Sequence, residues 1–342
     1  IYVDNLAWSP SGKEIWFDGI NRQLAAGIYA VGLDGRVRLV SLTTDLEVMH
    51  DIARDGSVLV EREINTREIL GAFGGNPQER NLSWLDQSNA AALSPDGKTM
   101  LFWESGEGGG PSGSVYLRST DGSAAARLGD GHACDLSPDG KWALTIQTSG
   151  KGASLVLLPT GAGGPQPIAL DKVLPVFAAF MPPDGKKILI AGSEPGQGVR
   201  AYLMDLPSGK PRAATPELSN GGALSPDGQF LAATGADRRA LIVPVAGGAP
   251  RILEGLELED VPIQWSADGQ DLFVTHYGEA PLPIYRYHLK SGKKELWKQL
   301  LPADRTGFVR IESVVLTRDG SSYAYSYNRV TSSDLFLVTG WK

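Results

Sequence analysis

The side chains able to carry chemistry are few and dispersed. Four histidines, His50, His132, His276 and His288, never stand two or four residues apart, the spacings at which one strand or helix presents two imidazoles to a metal. His50 and His132 fall in predicted inner strands, where the backbone can satisfy an imidazole, and His276 and His288 are expected on strand surfaces. The single cysteine, Cys134, has no disulfide partner and reads as a small buried apolar residue. Gly108-Gly109-Gly110-Pro111-Ser112-Gly113 fits G-x-G-x-x-G, but it lies between two predicted strands with no helix behind it to receive a phosphate. Gly-Lys pairs such as Gly97-Lys98 and Gly140-Lys141 lack the glycine five residues upstream that a phosphate loop needs, and H-R-D, D-F-G and G-x-S-x-G are absent. Aspartates precede glycines singly and do not cluster as D-x-D-x-D-G, so no calcium loop is expected. The sequence therefore predicts no catalytic residue, no metal site and no cofactor.

Those aspartates belong to a repeated phrase. In Ser94-Pro95-Asp96-Gly97, proline takes the second position of a type I turn, where its fixed φ already fits, and glycine the fourth, where φ > 0 costs it little. Apolar runs at Ala90, Ala92 and Leu93 before the turn and Met100 to Trp103 after it make this a hairpin. Variants of the phrase end at Gly12, Gly56, Gly140, Gly185, Gly228, Gly269 and Gly320, at intervals of 41 to 51 residues. Such a period holds four short strands with their turns.

Composition agrees with an all-β chain: 42 glycines and 22 prolines spread at turn spacing. The net charge of -7 comes from interspersed acids and bases, with no Lys/Arg run that would follow a phosphate backbone, so nucleic acid is not an expected partner. No apolar run reaches the ~18 residues that cross a bilayer, and no leader-like stretch opens the chain. The chain is expected to be soluble, without membrane contact of its own.

Eight repeats predict an eight-bladed β-propeller of four-stranded antiparallel blades, with seven blades as the alternative, forming one domain over residues 1–342. The eighth repeat ends at Asp334 to Val338 without a fourth strand, and Ile1-Tyr2-Val3 precedes the first inner strand. The N-terminal strand is therefore expected to complete blade eight and close the ring.

The Ser-Pro-Asp-Gly-Lys repeat resembles the WD40-like (PD40) propeller repeat of TolB and of prolyl-oligopeptidase-type peptidases. Glu79-Arg80-Asn81-Leu82-Ser83-Trp84-Leu85-Asp86, Leu157-Leu158-Pro159-Thr160-Gly161-Ala162-Gly163, and the ending Asp319 to Tyr327 with Ser333 to Val338 resemble the C-terminal propeller of bacterial eukaryotic-type serine/threonine kinases. That resemblance implies a non-catalytic, extracytoplasmic (periplasmic) sensor domain following a kinase domain and a membrane helix. It supplies no ligand residues to carry over. Two alternatives stay open: a free-standing periplasmic TolB-like scaffold, and the propeller of a hydrolase without its catalytic domain.

Aligning the repeats on their glycines suggests where a partner would bind. The residues four before the glycine, from Trp8 to Leu316, are apolar and are expected between blades. Eight before it stand Asp4, Val48, Asn89, His132, Phe177, Asn220, Val261 and Glu312. The polar five, Asp4, Asn89, His132, Asn220 and Glu312, are expected around one channel mouth, where they could orient a small ligand or a partner's chain end. Carboxylates there are expected to favour the charged form of His132. The alternative is docking on blade rims through loops 105–113 and 194–198.

Overall fold

The computed structural model describes residues 2–20, 26–42, 46–150 and 152–341, the side chains of 2–4, 20, 26, 46 and 219–221 excepted. The chain forms two compact units: Ile1–Thr66, Thr306–Val309 and Arg329–Lys342 make one, and Arg67–Arg305 with Arg310–Asn328 the other.

In the first unit, β1 (Tyr2–Trp8), β2 (Glu14–Ile20), β3 (Ala26–Gly32) and β4 (Val37–Leu42) form an antiparallel meander. β5 (Leu46–Ile52) pairs with the Val58 to Glu63 part of β6 (Val58–Ala72). Trp16, Ile28 and Ala30 of the meander pack on Met49, Val58 and Val60. Arg38 forks onto Glu14 at 3.0 and 2.7 Å while lying 5.7 Å above the Trp16 ring.

The second unit begins with the rest of β6 and β7 (Arg80–Asn81). One meander follows from β8 (Ser88–Leu93), β9 (Thr99–Glu104), β10 (Ser114–Ser119) and β11 (Ala126–Asp130), with the single turn α1 (Gly106–Gly109) between β9 and β10. The next is β12 (His132–Leu136), β13 (Trp142–Ser149), β14 (Gly152–Pro159) and β15 (Gln166–Ile168). β16 (Leu174–Phe180), β17 (Lys187–Ser193) and β18 (Arg200–Asp205) share the long β19 (Arg212–Leu224) with β20 (Phe230–Gly235), β21 (Ala240–Pro244) and β22 (Arg251–Ile252). Residues 212–217 of β19 pair with β18 and residues 218–224 with β20, so this strand is the outer edge of one sheet and the inner strand of the next. β23 (Asp260–Trp265), β24 (Asp271–His276), β25 (Leu282–His288) and β26 (Lys293–Leu300) form the fifth sheet. β27 (Phe308–Leu316) and β28 (Tyr323–Val338) join β6 and β7 in the sixth.

Each sheet packs face to face on the next. Leu101 and Val115 meet Ala143 and Leu158; Leu144 and Leu155 meet Phe180 and Ile190. Leu189 and Leu203 meet Leu231 and Val243, and Ala232 and Ile242 meet Trp265 and Leu272. The Ala267 N–H donates to the Arg318 carbonyl at 3.1 Å across the fifth seam. Ile69, Leu82 and Ala324 meet Met100 and Phe102 across the sixth. The second unit is thus a closed ring of six four-stranded sheets.

The β-propeller architecture is as expected, but the closure is different. β1 pairs with β2 and lies at the edge of its own sheet, whereas β28 pairs with β27 and β6; Ile1 lies outside the described residues. The eight-bladed ring is corrected for the same reason. Repeats two and eight do not form separate blades, because β6 and β28 are single strands of 15 and 16 residues. Between Ser57 and Leu70, and between Tyr323 and Val338, the chain has no glycine or proline, so nothing interrupts extension at the turns expected there. Each of these strands supplies one end to the first unit and the other to the second.

The repeated turns take the expected form. Ser137 Oγ donates to Asp139 Oδ1 at 2.7 Å and accepts from the Trp142 N–H at 3.0 Å, while Asp139 Oδ1 accepts from the Lys141 N–H at 3.1 Å. Gly140 has φ 70°. A Cβ built there meets nothing within 4 Å, so Gly140→Val is expected to lose about 1 to 3 kcal/mol from backbone strain alone, read by urea denaturation.

The ring closure gives a second test on one strand. Ile69 of β6 is fully buried, whereas Ile64, five residues earlier, is 49% exposed. Ile69→Ala is expected to cost about 2 to 5 kcal/mol and Ile64→Ala well under half of that, by the same measurement. Equal losses would count against the buried seam.

Candidate functional site

Ala90, Ala133, Phe177, Gly222, Pro262 and Val314, one from the inner strand of each sheet, surround a cavity of 580 Å³ on the axis of the second unit. A recurrent irregularity shapes it. Register shifts interrupt the pairing of inner strands with their neighbours between Ala90 and Ala92, Ala133 and Asp135, Pro175 and Phe177, Asn220 and Ala223, and Pro262 and Gln264. The inserted residues include Ala91, Cys134, Val176, Gly222 and Ile263, all of which line the cavity. A β-bulge bends a strand and re-aims its side chains, so β8, β12, β16 and β23 offer consecutive residues to the axis where a regular strand would offer alternate ones.

Most of the lining side chains are apolar and none carries a charge at ordinary pH. Burial pushes the Cys134 thiol and the Tyr277 phenol each up to about 12. Charge is confined to the two ends.

At the end where the inner strands begin, Arg67 of β6 donates through Nη1 to Asn89 Oδ1 and through Nε to Asn328 Oδ1 at 2.8 Å. Asn328 Nδ2 in turn donates to Glu312 Oε1, which also accepts from Arg310 Nε at 2.9 Å. Burial lowers the Arg67 pKa, an effect that the Glu312 carboxylate partly offsets and the Arg310 charge adds to. Trp103, opposite Asn89 on β9, stacks on His132 with ring centroids 4.1 Å apart.

Three of the predicted mouth residues, Asn89, His132 and Glu312, thus lie in one connected stretch of this rim. Asn220 belongs to inner strand β19, opposite Thr234, but its side chain lies outside the described residues. Asp4 belongs to β1 in the first unit, and its side chain is likewise outside the description. The expected environment of His132 is corrected: its pKa is lowered, because it is half-buried against Trp103 and burial disfavours the imidazolium. The other histidines pair with carboxylates: His50 Nε2 lies 2.8 Å from Glu61, His276 Nδ1 3.3 Å from Asp260, and His288 Nδ1 2.7 Å from Asp271. Loop 105–113 carries α1.

Arg67, Asn328, Trp103 and Tyr277 were not legible as site residues. All four follow a turn glycine, so an alignment of the residues before it passes over them. The available signal was the break in apolar character at Asn328, directly after Tyr323-Ala324-Tyr325-Ser326-Tyr327.

At the opposite end, where the turns lie, Asp135 accepts from the Leu136 and Phe180 N–H groups at 2.8 Å each. Arg318, from the sixth sheet, acts electrostatically on Asp135 of the second and on Asp227 of the fourth, and its Nη1 is buried without a hydrogen-bond partner. A guanidinium that acts on alternate sheets lies toward the axis. Burial raises Asp135 to about 6 despite its two amide donors.

The comparisons with known proteins agree with this architecture. No family model and no curated relative matches the chain. Similar solved structures include a protein assigned as TolB from Agrobacterium tumefaciens, at 20% identity over 77% of this chain and 98% of that one, with a TM-score of 0.58. TolB from Acinetobacter baumannii is similar at 14% identity over 97% of this chain and 86% of that one, with a TM-score of 0.51. At these identities the likeness is one of fold: the chain is a β-propeller protein with TolB-type structural neighbours. No helix among the described residues is long and apolar enough to cross a membrane.

The raised pKa of Asp135 sets a pH dependence. Because the folded state holds this proton more tightly than the unfolded chain, the stability it contributes is complete below pH ~4 and lost as pH rises through about 6. Thermal melts between pH 4 and 7 should show wild type losing ground to Asp135→Asn across that window and holding a constant difference above it.

Proposed function

We propose that the chain is a non-catalytic interaction propeller that holds a partner, either a protein or a small ligand, at the polar rim of the axial cavity. The observation that carries this reading is the union of an apolar 580 Å³ chamber with the Arg67, Asn89, Asn328 and Glu312 network at one end. Apolar walls supply affinity by burial, and a few fixed polar groups supply orientation. Fixing those groups before binding lowers the entropic cost of association.

Two settings suit such a module. TolB-type neighbours support a free-standing periplasmic scaffold for protein partners, whereas the kinase-propeller resemblance supports the extracytoplasmic sensor domain of a receptor-like serine/threonine kinase. The kinase setting rests on that sequence resemblance alone. The residues encoded before Ile1 separate the two: a kinase domain with a membrane helix favours the sensor, and a secretion signal favours the scaffold.

The site is tested by screening wild type and Asn89→Ala/His132→Ala/Asn220→Ala against the same partner library. Partners found with wild type are expected to bind the triple variant at least tenfold more weakly. Undiminished binding would move the site away from the rim.

A further inference from the structure

The turn end of the ring carries a second surface, centred on Phe230. This residue opens β20, directly after the Ser225 to Gly228 turn, and is 37% exposed although aromatic. Two depressions flank it and share both Phe230 and Pro244 in their walls. One, of 470 Å³, lies in the seam between the fourth and fifth sheets, with Ile242 and Leu289 on its apolar side. The other, of 730 Å³, lies between the third and fourth, with Met181, Leu203 and Leu206. Both volumes are of the size that holds a ligand's side chains.

The charges around the two depressions are opposite in balance. Asp227, Asp268 and Arg251 border the first. Both carboxylates are held below the usual range by the serine hydroxyl of their own turn, with help from the i+2 amide, so they are ionised at neutral pH and outnumber Arg251. Lys186, Lys187, Arg212, Asp184 and Asp205 border the second. There Lys186 pairs with Asp184 at 3.2 Å and Lys187 with Asp205 at 3.5 Å, leaving Arg212 as the excess cation. An apolar ridge with a hollow on each side, one end cationic and the other anionic, has a definite complement.

We propose that this surface docks an extended peptide segment of a partner protein. Two apolar side chains enter the hollows on either side of Phe230, an acidic residue faces Arg212, and a basic residue faces Asp227 and Asp268. In an extended chain, residues i and i+2 point the same way, so an acidic–x–apolar–x–apolar–x–basic pattern presents both anchors and both charges on one face. The proposal rests on the reading of the chain as an interaction propeller but uses the opposite end of the ring, so the two sites can fail separately.

The test is panning of a randomised twelve-residue peptide display library against the full chain. Enriched peptides are expected to show the acidic–x–apolar–x–apolar–x–basic order, and binding of the leading peptide is expected to fall at least tenfold in Phe230→Glu. Arg212→Glu, at an exposed position that leaves the core intact, is expected to weaken the same peptide and to restore binding when the peptide's acidic residue is changed to lysine. Thermal melts of both variants check that the fold is kept. The proposal is overturned if no peptide is enriched, if enriched peptides lack the charge order, or if neither variant weakens them. Peptides that lose binding only in the Asn89→Ala/His132→Ala/Asn220→Ala variant belong to the rim and also overturn it. So does self-association in sedimentation that Phe230→Glu abolishes, which would make a second copy of the chain the occupant.

Discussion

The second unit depends on one long-range pairing, that of β28 with β6. A propeller has no central core; each sheet buries one face on the sheet before it and the other on the sheet after, so the arrangement is complete only when the last sheet meets the first. Here the last sheet takes two strands from late in the chain and two from early in it, and Arg67 reaches Asn328 across 261 residues. Closing so long a loop is entropically costly, though the cost grows only logarithmically with length. It is offset by the burial of Ile69, Leu82 and Ala324 against Met100 and Phe102, and by the Tyr323, Tyr325 and Tyr327 hydroxyls, which reach Glu79 and Glu68 within the closing sheet at 2.8 to 3.0 Å. The same closure supplies the rim, because Arg67 and Asn328 arrive with the two strands that seal the ring.

Local chemistry sets the rest of the ring. In each serine- or threonine-led turn the hydroxyl and the aspartate bond to one another and to the amides that the reversal leaves unpaired, as in Ser94 with Asp96, Ser225 with Asp227, Ser266 with Asp268 and Thr317 with Asp319. These bonds hold the aspartates ionised, so the turn end carries a circle of fixed negative charge. Neighbouring side chains then divide it. Lys141 and Lys186 lie beside the aspartates of their own turns, whereas Gln229 and Gln270 stand at the corresponding places beside Asp227 and Asp268. A repeat that is uniform in backbone is therefore asymmetric in charge.

This separation between backbone and side chain explains what could be read from the sequence. Turn phrases and alternating apolar strands are local signals, and they located the hairpins, the four-strand period and the inter-blade positions such as Leu136, Leu224 and Trp265, which are buried, but not Trp8 of the same set, which is 53% exposed. The number of sheets in one ring is a global property, decided by which strands pair across the sequence. Near Ile64 and Arg329 the one local mark is the absence of glycine and proline, which lets β6 and β28 run on but does not say which strands they pair with. The rim residues were legible in the same measure: Asn89, His132 and Glu312 follow from periodicity, but Arg67 depends on the closure, and the bulges that turn Cys134 and Ile263 toward the axis leave no mark in a pattern of period two.

The contrast between the cavity and its ends bears on what such a ring can recognise. A buried thiol and phenol with pKa values near 12 carry no charge at neutral pH, so the walls favour any apolar group that fits and discriminate little among them. Discrimination must come from groups whose bonds are directional and already in place. Arg67 is such a group: it is partly buried, which weakens its hydration, and Asn89 and Asn328 hold its guanidinium in one orientation. Glu312, bridged to it through Asn328 and also bonded by Arg310, places a negative charge beside that positive one. A partner that only filled the chamber would leave this network solvated and gain nothing from it. One that also matched the alternating charges would replace water with bonds already aligned, so under the proposed reading specificity at this end of the ring would reside in the rim more than in the chamber.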